Sequence, residues 1–309
     1  MRCAQTCRFG LFSNRHQRLR LAIACFVFEA VDRSTLHGAY PMVKASAVRQ
    51  CGPPSSNGRH LFGVGISPVT ETDLVAELLA PVEPGAGARL VATMNLDHVV
   101  NLRTNRAFRE AYRSAWRVTI DGAPVFAYAR LSGVRVPERV PGADLFETLV
   151  PLFNAGVHRL FFVVSSAEVA TAMTALLGRR GFDHGNLAFE IPPFGFQNDQ
   201  AVSAALAARI QAFGATHLVL AVGAPKSEIW TCRHTRQLGD VNVLCIGAAV
   251  EFVTGLKRRS PRWMREAGLE WLWRVGSEPR RLFKRYFVDS FGFLLAIAAD
   301  RKSHGASVN

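Results

Sequence analysis

Residues 158–181, HRLFFVVSSAEVATAMTALLGRRG, contain the pattern that decides the fold of this 309-residue chain. Leu160 to Val164 form a continuous apolar run, which is typical of a strand buried on both faces. A helical pattern begins at Ala167 and ends in a glycine-containing stretch. A buried strand followed directly by a helix predicts a parallel sheet with helices packed on it.

The same alternation continues in both directions from this unit. Strands are predicted at 61–69, 89–95, 116–121, 187–194, 216–223 and 241–247, and helices at 70–80, 96–115, 123–133 and 201–215. Thr70 and Asp73 have the spacing of a capping box at the start of the first of these helices. We therefore predict an α/β fold with a mostly parallel sheet.

The two ends of the chain differ from this central part. Residues 1–58 are rich in Arg, Ser, Gly and Pro, and we predict a poorly ordered N-terminal extension. Residues 59–255 form the predicted α/β core. Residues 256–309 are basic and aromatic, with Leu282 and Phe283 on one helical face and Arg280 and Arg281 on the other. This pattern predicts a helical appendage that associates with membranes.

Composition and charge limit the classes of protein. Hydrophobic residues make up 49% of the chain, so a disordered protein is excluded, and the net charge of +13 indicates an anionic partner. The six cysteines form no CxxC pair, which favours a reducing compartment. The apolar stretches 21–31 and 291–299 are too short to cross a bilayer. We expect a cytoplasmic protein, peripheral to the inner face of the cell membrane.

Polar residues follow several of the predicted strands. Because ligands of open α/β sheets bind outside the carboxyl ends of the strands, these residues are the candidate site. They are Thr93 and Asn95, Asp121-Gly122, the GAPKSE segment 223–228, Glu251, and Glu138, Arg139 and Asp144 in the predicted loop 137–145.

Each of these groups also has a simple structural role. Asn95 suits a helix N-cap, Asp121-Gly122 suits a turn, and Arg139 with Asp144 suits a structural ion pair. Their occurrence at successive strand ends on one edge favours function.

The residue types fit sugar transfer from an activated donor. The Asp121 carboxylate can accept a proton from a hydroxyl nucleophile. Backbone N–H groups in VGAPK, residues 222–226, and at the start of the following helix can bind phosphate oxygens, and Lys226 with nearby arginines can balance the charge of a diphosphate. We expect Gly122 to permit a sharp turn and to leave room for a sugar beside Asp121.

Other functional classes lack their motifs or remain open. FGVGIS lacks the third glycine of a dinucleotide fingerprint, and P-loop, HExxH and apolar-flanked DxD motifs are absent from the sequence. A basic nucleic-acid-binding protein and a non-catalytic nucleotide-sugar-binding assembly protein remain alternatives. The concentration of charge in one amphipathic C-terminal helix favours an anionic membrane surface over nucleic acid.

Six segments together resemble the WecG/TagA/CpsF glycosyltransferases, also called glycosyltransferase family 26. They are TMNLDHV, VTIDGAPV, PERVPGADL, AVGAPKSEIW, IGAAVEF and RSPRWMREAGLEWLWRVGSEPRRLFKRY, in the family's order and spacing over about residues 60–288. The resemblance implies a Rossmann-like fold with a C-terminal appendage that completes the site at the membrane. It also implies an inverting, metal-independent transferase for cell-surface polysaccharide or exopolysaccharide synthesis. Such enzymes move N-acetylmannosamine, its uronic acid or a related hexose from UDP to a polyprenyl-diphosphate-linked acceptor.

The resemblance also assigns roles by position. Asp121 is implied to be the general base, Thr93 and Asn95 to position sugar or acceptor, and Arg139 to line the pocket. The UDP-sugar site is implied to contain Gly223, Pro225, Lys226, Ser227, Glu228 and Glu251. Arg262, Arg280 and Arg281 are implied to meet diphosphate or lipid phosphate.

Two positions depart from the family's pattern. Ser227 replaces the usual Gln, and Val250-Glu251-Phe252 replaces Phe-Asp-Phe, which leaves the identity of the sugar open. No cofactor, metal or nucleic acid is implied, and the oligomeric state, including a homo-oligomer, is left open.

Overall fold

The core of the protein is a six-stranded parallel sheet. The computed structural model describes residues 60–277 and 289–305. The described strands are β1 His60–Leu61, β2 Val64–Gly65, β3 Arg89–Met94, β4 Arg117–Ile120, β5 Leu160–Val163, β6 Leu187–Glu190, β7 His217–Leu220 and β8 Asn242–Cys245. Strands β1 and β2 form a separate hairpin, and β3 to β8 form the six-stranded sheet. The sheet has the order β4-β3-β8-β7-β5-β6, and all neighbours in it are parallel. The predicted α/β, Rossmann-like class is confirmed.

Helices surround this sheet. The main ones are α1 Glu71–Leu79, α2 Leu96–Thr104, α3 Arg106–Ser114, α4 Ala123–Leu131, α5 Gly142–Leu149, α6 Ala167–Gly178, α7 Gln200–Phe213, α8 Lys226–Leu238 and α9 Ala249–Val253. The C-terminal part contains α10 Arg262–Glu266, α11 Glu270–Ser277 and α12 Asp289–Gly305. Among the described residues, none of the helices combines the length and apolarity that crossing a bilayer requires.

Alternate side chains of strand β3 show how the two faces of the sheet are used. Ala92 and Met94 belong to the core cluster that contains Phe108 of α3 and Trp230 of α8. Thr93 projects to the opposite face, where it meets Gly142 at the start of α5. Both faces are therefore covered. On the first face α2 packs on α3, α3 on α8, and α8 on α7. On the second face α1 packs on α5, α5 on α9, and α9 on α6.

Three local predictions were wrong. The predicted strand 61–69 is not one strand, because residues 60–65 form a tight hairpin of β1 and β2, with Phe62 and Gly63 at positive φ. The predicted helix 96–115 is split at Asn105, whose extended backbone and side chain cap α3 by accepting from Phe108 N–H. The predicted loop 137–145 is a loop only as far as Pro141, because α5 begins at Gly142.

The last helix, α12, is fixed to the core by a buried carboxylate. Asp300 is 4% exposed and accepts hydrogen bonds from Phe62 N–H at 2.7 Å and from the Tyr128 hydroxyl at 2.9 Å. Gly292 lets α12 approach α2 closely, since a Cβ there would lie 3.2 Å from the Val100 methyl groups. The C-terminal helix therefore packs against the α/β core.

Arg280 and Arg281, and the basic face predicted around them, lie outside the described residues. The predicted extension 1–58 lies outside them too, and the predicted domain limits at 59 and 255 stay predictions.

Candidate active site at the carboxyl edge of the sheet

The strand register places the candidate residues at one level along the carboxyl edge. Met94 pairs with Ile120, so Asn95 and Asp121 follow side by side. Val91 pairs with Leu244 and Leu220 with Cys245, and a count of three residues beyond the ends of β8 and β7 brings Ala248 and Gly223, in the loops after those strands, to about the level of Asn95. With about 4.8 Å between strands, the distance from β4 to β7 is about 14 Å. Asn95, Asp121 and the loops after β7 and β8 therefore lie along one edge, on the side where ligands of open α/β sheets bind, and we call this side the crevice.

Asp121 is held by its backbone to the neighbouring strand. The N–H groups of Asp121 and Gly122 both donate to the Met94 carbonyl, at 2.8 and 3.2 Å. Gly122 has φ −76°, so no left-handed turn requires glycine there. A Cβ at Gly122 would instead lie 3.2 Å from the Asn95 Cα. The expectation of a special turn was wrong, because the glycine is needed for close approach to Asn95.

Asn95 has the structural role that its residue type suggests, and it is only half-buried at the carboxyl edge. Its side-chain oxygen accepts from His98 N–H at 3.1 Å and caps α2. The NH₂ group is then what Asn95 can offer to a ligand as a donor. Capping and ligand binding are compatible here because they use different atoms of one amide.

Thr93 lies beneath the crevice rather than on its open surface. It is 4% exposed, and a Cβ on Gly142 would lie 3.1 Å from its hydroxyl oxygen. Its predicted contact with sugar or acceptor stays a prediction, which this burial does not favour.

Arg139 joins the Asp121 loop to the C-terminal part of the chain. Its guanidinium donates to the Asp121 carbonyl at 3.2 Å and to the Arg265 carbonyl at 2.8 Å. The structural alternative for Arg139, an ion pair with Asp144, is not what the structure has, because Asp144 pairs with Arg259 and Arg265 instead. Arg139 borders the crevice while binding two backbone carbonyls.

The segment 223–228 forms the start of α8. Gly223 has φ +86°, a left-handed conformation that favours glycine, and the Ala224–Pro225 peptide bond is cis. Lys226 is the first helical residue. Ser227 is buried and donates through its hydroxyl to the Gly223 carbonyl at 3.1 Å. The positive end of the helix dipole and the Lys226 side chain therefore coincide at this corner of the edge.

Phe194 is a residue that sequence reasoning missed. Its ring is fully exposed in the loop after β6, and Lys226 Nζ lies 5.9 Å from the ring centroid. The only sequence signal was an aromatic residue beyond a strand end, in the segment IPPF. Such an exposed ring beside a cation offers a flat apolar surface at the border of the crevice.

Glu228 lies under this corner, not on its surface. The carboxyl is 1% exposed, and its Oε2 makes no hydrogen bond to the described residues. Burial, with a smaller contribution from Asp97, raises the pKa of Glu228 to about 7. Its predicted contact with substrate stays a prediction and is not favoured by the burial.

Tyr112 and Cys245 share this buried region. Burial, followed by the charge of Glu228, raises the pKa values of the Tyr112 hydroxyl and the Cys245 thiol well above their ordinary values. Tyr112 also forms a 2.6 Å hydrogen bond with His98 Nδ1. The buried region below α8 therefore disfavours negatively charged side chains.

The remaining predicted residues, Glu251 and Arg262, lie in the two short helices that follow β8. Glu251, in the first turn of α9, forms an ion pair with Lys257 at 3.1 Å. Arg262 is exposed at the start of α10. Within residues 60–277 and 289–305, no group of three or more His, Cys, Asp or Glu side chains is arranged to hold a metal ion.

The comparison with known protein families defines the class of this protein as a glycosyl transferase. The profile of the glycosyl transferase WecG/TagA/CpsF family matches residues 59–307, and the chain belongs to that family.

Relatives from Staphylococcus aureus strains MW2, NCTC 8325 and MRSA252 are named N-acetylglucosaminyldiphosphoundecaprenol N-acetyl-beta-D-mannosaminyltransferase. Each is 23% identical over 208 residues, which is 67% of this chain and 80% of the relative.

Proposed function

We propose that this protein transfers a sugar from a UDP-sugar to a polyprenyl-diphosphate-linked glycan acceptor, with inversion at the anomeric carbon. The observation that carries the proposal is that Asp121 and the start of α8 follow the carboxyl ends of β4 and β7 at the same edge of the sheet. One end supplies a carboxylate and the other supplies positive potential. A displacement at a sugar carbon with a diphosphate leaving group requires both a base and stabilisation of the leaving group's charge.

The donor side of the site is the start of α8 and the loop after β6. Backbone N–H groups at a helix N-terminus and the Lys226 ammonium group suit a diphosphate. The exposed Phe194 ring beside Lys226 is suited to stack on a nucleobase. A nucleoside diphosphate sugar would then extend from β6 towards β4, with its sugar near Asn95.

The reaction is a single displacement at the anomeric carbon. The acceptor hydroxyl oxygen forms a bond to that carbon while the bond to the diphosphate oxygen breaks, and the Asp121 carboxylate takes the hydroxyl proton. The diphosphate leaves with the bonding electron pair, and Lys226 and the α8 dipole stabilise its charge. These residues offset leaving-group charge through protein groups, so we propose transfer without a metal ion.

The acceptor proposal rests on the relatives. Their name specifies N-acetylglucosaminyldiphosphoundecaprenol as acceptor and N-acetylmannosamine as the sugar. We propose the same chemical class of acceptor for this chain. Because Ser227 and Glu251 depart from the family's pattern, the proposal leaves the donor sugar open among N-acetylmannosamine, its uronic acid and related hexoses.

The surface of α12 suits contact with the membrane that would hold the acceptor. Phe291, Leu294 and Leu295 are exposed, whereas Phe293 and Ala296 pack inward. The outward apolar stripe on this helix supports a position against the inner face of the membrane.

The deciding experiment incubates the full chain with a panel of UDP-sugars and a short-chain polyprenyl-diphosphate-linked N-acetylglucosamine, with and without EDTA. Mass spectrometry of the product identifies the transferred sugar. Asp121→Asn should retain UDP binding and lower kcat by about 10²–10⁴-fold, the range expected for loss of a general base.

Asp97→Asn is the matched control, since Asp97 is a neighbouring acid in the first turn of α2. Turnover of Asp121→Asn close to that of the unmodified protein would return Asp121 to the role of a turn residue. Loss of transfer in EDTA, restored by a divalent ion, would refute the metal-free mechanism.

A further inference from the structure

Helix α5 presents two carboxylates to two arginines of the C-terminal segment. Arg259 approaches Asp144 Oδ1 at 2.7 Å and Glu147 Oε2 at 2.8 Å. Arg265 approaches the same oxygens at 3.4 and 3.3 Å. We call these four residues the α5 latch. Each arginine reaches both acids, so the latch is a network rather than one surface ion pair.

The burial of Arg259 distinguishes the α5 latch from an ordinary surface pair. Its side chain is 11% exposed. Burial alone would lower the pKa of this guanidinium, but Asp144, Glu270 and Glu147 together outweigh burial and raise it. A charge this deeply buried requires its partners, so removing a carboxylate leaves Arg259 without full compensation.

The segment that the latch fixes lies against the Asp121 loop. Arg139 connects the Asp121 carbonyl to the Arg265 carbonyl through one guanidinium. Gly268 packs on Ala123 so closely that a Cβ on it would lie 2.7 Å from the Ala123 Cβ. Residues 259–268 are therefore held on one side by α5 and on the other by the loop that carries Asp121.

We propose that Asp144 and Glu147 are positioning residues that hold segment 259–268 beside Asp121 and thereby shape the acceptor side of the site. This inference rests on the proposed function for its account of the acceptor. The donor corner at α8 lies about 14 Å away along the sheet edge. Weakening the latch should therefore impair use of the acceptor and spare the donor.

The test compares Asp144→Asn, Glu147→Gln and the double variant in the full chain. Hydrogen exchange of amides 259–268 should be faster by about tenfold or more in the double variant, with amides of β3 and β7 unchanged. The KM for the lipid-linked acceptor should rise about tenfold while the KM for the UDP-sugar stays within about twofold. Asp144→Glu keeps the charge and should recover part of the acceptor KM.

Glu168→Gln, which neutralises an exposed acid on α6, is the matched control. Unchanged exchange of 259–268 in the double variant would overturn the proposal. Equal increases in both KM values would also overturn it, because they would indicate general loosening. If the unmodified protein transfers no sugar, the proposed function fails, and hydrogen exchange still decides whether the latch holds the segment.

Discussion

At the scale of single residues, Glu228 combines burial with a titration near neutral pH. Its carboxyl has a pKa of about 7 in the folded chain, against an ordinary value of 4.5. At pH below 4.5 the group is protonated in both the folded and unfolded chain and has no effect on stability. Between pH 4.5 and 7 the unfolded carboxyl ionises first, so the stability of the fold decreases as pH rises.

Glu228→Gln should remove this pH-dependent loss. Because the gap between 4.5 and 7 corresponds to about 3 kcal/mol, the variant should be more stable than the unmodified chain at pH 8 by up to roughly that amount. The difference should vanish near pH 4.5. Urea unfolding monitored by circular dichroism at several pH values measures it, with the exposed Glu83→Gln as control. If the free energy of unfolding changed with pH in the same way for both variants and the unmodified protein, the raised pKa of the buried Glu228 carboxyl would be contradicted.

Residue-level prediction succeeded where local sequence determines position. Asn95 and Asp121 follow their strands directly, so the parallel register was enough to place them side by side. Residue-level prediction failed for interaction partners that are far apart in the chain. Asp144 meets Arg265 across 121 residues, and no local pattern specifies that contact. The inward direction of Thr93 and Glu228 also depended on which helix covers each face.

At the scale of secondary-structure elements, the strands were the most predictable part. Continuous apolar runs such as Leu160–Val163 are buried throughout, and this pattern has few alternatives. Helix ends were less predictable, because one side chain decides them. Asn105 interrupts an otherwise helical pattern by accepting from Phe108 N–H, and only the capping geometry shows this.

The exposed stripe of α12 leads to a prediction about membrane binding. Replacing Leu294 and Leu295 together with Glu should lower binding to vesicles of anionic phospholipid by at least about tenfold, because each leucine buried in the interface contributes about 1.5–3 kcal/mol. Flotation of vesicles in a density gradient measures the bound fraction. Leu131→Glu is the matched control, since Leu131 is 79% exposed on α4. Equal flotation of the double variant and the control would exclude α12 as the membrane contact.

At the scale of the whole molecule, Asp300 connects the C-terminal helix to the beginning of the described fold. Asp300→Ala should lower the free energy of unfolding by about 2–4 kcal/mol, because Phe62 N–H and the Tyr128 hydroxyl would both lose a charged acceptor. Tyr128→Phe should cost only about 1 kcal/mol, since the Phe62 bond remains. Urea unfolding with matched m-values measures both. Equal losses in the two variants would show that Asp300 contributes nothing through Phe62.

The bond between Asp300 and Phe62 also affects the order in which the protein is completed during synthesis. The two residues are 238 positions apart. At 5–20 residues per second, a ribosome needs roughly 12–48 s to reach Asp300 after adding Phe62. Throughout that time the first hairpin has no buried carboxylate to receive its N–H group. The nascent chain can assemble its parallel sheet before the hairpin acquires its final partner, so this corner of the molecule is finished last although it is translated early.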